Sequence, residues 1–187
     1  MYPRYALVLL LMLPVLGAAC NSAPKHAESN ISKEMVLQPE DVPSNFAPSK
    51  AEPVSNDFFA EQLAERYGMP AGKVPGGRLG GYLSSFLDHP AYVTNRVDLF
   101  GTNNQAADFL EAPLGVSRGA PSEVPALGDE AWAYPVNIDG CPCIIRFRQG
   151  NAVAEIYFEG PRATGELEDT LRLARKVEQH VAEVLNR

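Results

Sequence analysis

The sequence predicts an α+β domain, an antiparallel sheet of about five strands with helices packed on one face. Three observations predict it. The runs on either side of Gly150-Asn151 alternate apolar and polar residues about a two-residue turn, which marks a hairpin. Arg78 to Leu87 and Tyr92 to Phe100 form a second strand-like pair, divided by the turn residues Asp88-His89-Pro90. Each pair is followed by a helix-period segment, in RVDLFGTNNQAADFL and again in AEIYFEGPRATGELEDTL, so a ββα unit is read twice. At 187 residues the chain has room for one core and little for two.

Residues Met1 to Ala19 hold Arg4, an uncharged apolar stretch from Ala6 to Leu16, and the small residues Gly17, Ala18 and Ala19. This is the layout of a signal peptide. The stretch is shorter than the roughly 20 apolar residues of a spanning helix, and Pro14 interrupts it. The run LGAAC resembles the lipobox of bacterial lipoproteins, in which the cysteine, here Cys20, is acylated, with palmitate among the expected chains, and becomes the first residue. Gly17 stands where the pattern has leucine, so cleavage after Ala19 without acylation is the alternative. Each buried CH₂ of an acyl chain contributes about 0.8 kcal/mol, and two or three chains would hold a domain at the outer face of an inner or outer membrane. Residues 20–33 are small, polar and without period, as a tether requires, and residues 34–187 are read as the single globular domain.

The proline-rich run VLQPEDVPSNFAPSKAEPVS is expected as an extended arm on the domain surface. Asn56 can cap a helix with Phe59, Leu63 and Tyr67 on one stripe and Gly68 at its end. After the hairpin that closes at Phe100, Thr102 or Asn103 caps a short helix with Ala106, Phe109 and Leu110 on its apolar side. Ala112 to Leu127 has three prolines, two glycines and no period, and is expected as a long loop. Ala131 to Val136 is a short strand with Trp132 and Tyr134 on one face, and Pro135 points to an edge. In the Cys143 to Phe158 hairpin, pairing Gln149 with Ala152 sets Phe147 opposite Ala154 and Ile145 opposite Ile156 on an apolar face, with Arg146 opposite Glu155 on the other. Thr164 caps a last helix whose Leu167, Leu171, Ala174, Val177, Val181 and Val184 recur at spacings of three and four.

Sixteen basic and twenty-three acidic residues give a net charge of −7, without a basic run to track phosphates, so nucleic acid is not an expected partner. Cys141-Pro142-Cys143 reads as a strained disulfide or a pair of free thiols. It lacks the spacing of a metal site and the helix N-terminus that activates a CxxC thiolate, so no metal or cofactor is expected. His26, His89 and His180 fall in a tether, a turn and a helix face, and no serine sits in a nucleophile elbow. Trp132, Tyr134, Ile144 and Tyr157 group on the outer sheet face as a candidate binding surface, whose rival reading is an apolar layer beneath the proline-rich arm.

The runs LGDEAWAY, IIRFRQGNAVAEI and LARKVEQHV, with LQPEDVPSNF before them, resemble a group of uncharacterised bacterial envelope lipoproteins and sensor-like extracellular domains that carry GDE(A/S) and FRxGN motifs. The resemblance implies a small α+β envelope domain and brings no catalytic residues with it. The reading is a lipid-anchored, non-catalytic domain that binds a small ligand or an envelope protein through the Ala112 to Leu127 loop and the Trp132/Tyr134 surface. Thiol chemistry at Cys141 and Cys143, and a lipid carrier with an enclosed apolar cavity, are the alternatives.

Overall fold

The computed structural model describes residues 33–67, 76–112, 120–138, 141–159 and 166–187, with side chains throughout except at 62–67, 136–138, 141–143, 159 and 166. Among these residues, seven strands form one antiparallel sheet in the order β1-β2-β3-β7-β6-β5-β4. They are β1 Ala47–Val54, β2 Arg78–Asp88, β3 Ala91–Phe100, β4 Ser122–Glu123, β5 Glu130–Ile138, β6 Cys141–Gln149 and β7 Ala152–Glu159. Helices α1 Asn56–Tyr67, α2 Asn103–Leu110 and α3 Glu166–Leu185 pack on the sheet, and residues 33–35 and Pro39–Asp41 add short helical turns. The α+β class and the antiparallel sheet are those the sequence predicts. The two added strands are the edges. β1 carries Pro48 and Pro53, which an edge tolerates because its outer N–H groups need no partner in the sheet. β4 is only two residues long and pairs with Trp132 and Ala133 alone.

The β6–β7 hairpin has the predicted register: Gln149 faces Ala152, Phe147 faces Ala154 and Ile145 faces Ile156. Gly150 supplies the turn with φ +56, a conformation that costs a glycine little. Phe147, Ala154, Ile145 and Ile156 join Phe86, Val93 and Val97 in the larger core, closed by Leu173, Ala174, Val177 and Val181 of α3. The helix stripe centres on Thr170, Leu173, Val177 and Val181, so Leu167, expected inside, is 52 % exposed, and Leu173 takes core space in its place.

Packing on a single face does not describe the helices. α3 lies on the face just described. α1 and α2 lie on the other, where Phe59, Ala106, Phe109 and Leu110 pack with Val54, Phe100, Tyr134, Ile144, Val153 and Tyr157. The reason is in the central strands: Ile144 to Phe147 and Ala152 to Tyr157 are buried without alternation, and a sheet apolar on both faces needs cover on both. The two ββα units recur in chain order, with β3 antiparallel beside β7. A two-fold axis relating such strands would stand perpendicular to the sheet and place both helices on one face. They lie on opposite faces, so the likeness stops at strand order.

The segment expected as a surface arm begins inside the core. Met35, Val36 and Leu37 are at most 1 % exposed and belong to the larger cluster with Val42. Leu37 N–H donates to Asn95 Oδ1 at 3.0 Å, and His180 Nδ1 of α3 lies 3.1 Å from the Val36 carbonyl. The arm therefore lies over β3 beside α3 and roofs the part of the sheet that α3 does not reach.

Candidate functional site

β5, β6 and β7 bring Tyr134, Ile144 and Tyr157 into one cross-strand row, with Trp132 beside them in the next. These are the four residues grouped by the sequence as a binding surface, and they do gather on one face. That face is interior: Tyr134, Ile144 and Tyr157 are buried and Trp132 is half-buried against them. The cover is α2 rather than the proline-rich arm, because Ala106, Phe109 and Leu110 need an apolar floor and find it here. The Tyr134 hydroxyl donates to the Leu110 carbonyl at 3.3 Å. Burial raises the Tyr134 pKa above its usual value, and the neighbouring Arg146 guanidinium opposes the rise without cancelling it.

The same face carries a buried line of charge that sequence reasoning missed. Arg96 of β3, Glu155 of β7 and Arg146 of β6 face one another in a single row, with Asp98 two residues along β3 and Arg78 on β2. Asp98 Oδ1 accepts from Arg78 Nη2 at 2.6 Å and Nε at 3.0 Å, while Oδ2 accepts from Arg96 Nε at 2.9 Å. Arg96 Nη2 donates to Glu155 Oε2 at 3.4 Å, and Arg146 Nε stands 3.7 Å from the same oxygen. The signs alternate along the line, so each carboxylate lies between two guanidinium groups. Aromatic rings complete the packing, with Arg78 4.0 Å and Arg96 4.9 Å from the Phe59 ring centre and Arg146 4.8 Å from that of Phe109.

The two ends of this line fasten helices. Arg146 donates to the carbonyls of Phe109 at 2.9 Å and Ala112 at 3.0 Å, the end of α2 where carbonyls lack partners within the helix. Arg78 donates to Asn56 Oδ1 at 2.6 Å and to the Val54 carbonyl at 3.1 Å, where β1 passes into α1. Asn56 is thereby engaged with Arg78. The expected cap at α1 is supplied by Ser55, whose Oγ accepts from Phe58 N–H at 3.1 Å. Thr102 caps α2 as predicted, accepting from Gln105 N–H. The signal for the buried line was present in the predicted hairpin: Arg146 and Glu155 sit in runs that are apolar at both parities, which a solvated face is not.

The two sequence motifs of the envelope-domain resemblance meet in space. Asp129 of the GDEA run accepts at Oδ2 from Gly150 N–H and from Arg148 Nη1, both at 2.8 Å, and both donors belong to the FRQGN run. Gly128, at φ +59, donates to Glu178 of α3 at 2.6 Å, and a Cβ there would stand 2.4 Å from the Arg148 carbonyl oxygen. The motifs thus form a clasp between the β6–β7 turn, the start of β5 and α3.

Cys141 and Cys143 open β6 opposite Ile138 and Pro135 of β5, and their side chains, like all of Cys20, lie outside the described residues. Of the Ala112 to Leu127 loop, residues 113–119 lie outside them too. The remainder contributes β4 and the buried Leu127. No helix among the described residues is long and apolar enough to cross a membrane.

Comparison with family models and with curated proteins finds no match in sequence. Among solved structures, the fold is similar to the extracellular domain of PknH from Mycobacterium tuberculosis, with a TM-score of 0.54 and 12 % identity over 81 % of this chain and 96 % of that one. At that identity the likeness is one of fold, and it spans nearly the whole of the compared domain.

Proposed function

We propose that the protein is an exported envelope domain, held at the outer face of a membrane through acylated Cys20, that acts by binding a small ligand or an envelope protein and not by catalysis. The observation that carries this reading is the fold, shared with an extracellular domain over almost all of that domain's length. The signal-like layout of Met1 to Ala19 and the lipobox-like LGAAC support the address. The binding role draws support from how the charged residues of the sheet are used: Arg78, Asp98, Arg96, Glu155 and Arg146 are paired in a buried line, and its end residues Arg78 and Arg146 fasten helices.

Cell fractionation tests the address. In bacteria producing the protein, the wild-type chain should sediment with membranes and be digested by protease added outside spheroplasts. Cys20→Ser should keep the fold and lose the membrane association. A wild-type chain found in the cytosol and protected from external protease would overturn the reading.

A further inference from the structure

Among the described residues, α3 and the arm do not cover the whole of the larger-core face of the sheet. α3 covers β6 and β7 and the arm covers β3, so β1 and β2 are left to floor a small pit. This cavity, of about 70 Å³, lies among Val36 and Leu37 of the arm, Pro48 of β1, and Tyr82, Ser84 and Phe86 of β2, with the exposed Lys33 and Lys50 at its rim. Strand alternation puts Tyr82, Ser84 and Phe86 on the same face. Ser84 is 2 % exposed, and among the described residues its Oγ has no hydrogen-bond partner. The register explains why. Across β1 it meets Ala51, which offers no polar side chain, and across β3 it meets Asn95, whose amide is engaged with Leu37 N–H and the Glu155 carbonyl. A hydroxyl that can both donate and accept is thus left in an apolar wall, carrying a desolvation cost that a partner would relieve.

We infer that this pit is a binding site for a small uncharged amphiphile whose hydroxyl or carbonyl group pairs with Ser84 and whose short hydrocarbon body lies against Leu37, Tyr82 and Phe86. The inference deepens the binding role proposed above and rests on it. Size and charge select the class. The cavity is about half the roughly 150 Å³ that accommodates benzene, so it encloses the hydroxyl and about two or three carbons and leaves the rest of a longer chain at the rim. A carboxylate or ammonium group would leave water for a single hydroxyl, a trade that excludes charged ligands; Lys33 is exposed, and Lys50 is exposed and paired with Glu52.

Butan-1-ol is a suitable probe, titrated into the protein and followed through backbone amide shifts by NMR. Saturating shifts are expected at Leu37, Gln38, Ala51 and residues 82–86, with a millimolar dissociation constant in keeping with so small a ligand. Butyrate and butylammonium at equal concentration should leave those amides still. Ser84→Ala should weaken butanol about threefold to tenfold without loss of the apo fold. Ala51→Leu, a change on the exposed edge strand, should fill the pit and abolish the shifts. Shifts that never saturate, equal affinity in Ser84→Ala, binding retained in Ala51→Leu, or an ordered water alone at Ser84 in the presence of the alcohol would each overturn the inference. The titration is independent of Cys20, so its failure leaves the fractionation result standing, and a cytosolic protein could still fill its pit.

Discussion

Asp98 shows how much one side chain can hold. It is 1 % exposed and receives Arg78 on one oxygen and Arg96 on the other, so its removal leaves two guanidinium groups buried beside each other. Asp98→Ala should therefore cost about 3–5 kcal/mol, the usual penalty for breaking a buried pair by deleting one partner. Glu52→Ala, which removes the partner of exposed Lys50, should cost at most about 1 kcal/mol. Urea denaturation of the two variants checks the contrast, and equal losses would show that burial is not what gives the Asp98 pairing its weight.

Tyr134 makes a second prediction at the same scale. Its hydroxyl pKa is raised in the folded state, chiefly by burial. At alkaline pH the unfolded tyrosine loses its proton first, so the folded state binds more protons and stability falls with rising pH. The contribution is complete below the ordinary tyrosine pKa of about 10 and is lost as pH rises through the folded value. An ultraviolet titration should show one hydroxyl ionising later than exposed tyrosines. Tyr134→Phe should remove that late step and flatten the alkaline fall in stability. An unchanged alkaline profile in Tyr134→Phe would assign the fall to other groups.

Among the elements, the arm departs most from its appearance in the sequence. Four prolines and isolated apolar residues read as a surface ribbon, yet Val36 and Leu37, with Met35 before them, complete the core beside α3. No local pattern could show this, because the partners, Asn95 and His180, lie 58 and 144 residues away. Leu37→Ala should cost about 2–5 kcal/mol, the range for emptying a buried leucine site, as read from thermal or urea melts. A loss below about 1 kcal/mol would place the segment outside the cooperative core. The hairpin and α2 were legible because their determinants are local: a two-residue turn fixes register, and Thr102 caps a stripe of Ala106, Phe109 and Leu110. The placement of α2 across the sheet from α3 was not, since chain order is silent on which face a helix takes.

For the whole molecule, the candidate surface was half legible. Strand alternation puts Trp132, Tyr134, Ile144 and Tyr157 on one face, but their exposure depends on α2, which sequence spacing does not position in space. The charge line is legible only when β3, β7 and β6 are aligned together, because its members come from pairings between distant segments.

The proposed acylation of Cys20 is tested most directly by the mass of the native N-terminal peptide from a membrane extract. A peptide that begins at Cys20 and carries fatty acyl chains is expected. A peptide that begins at Met1, or an unmodified Cys20 on a protein free of membranes, would contradict it.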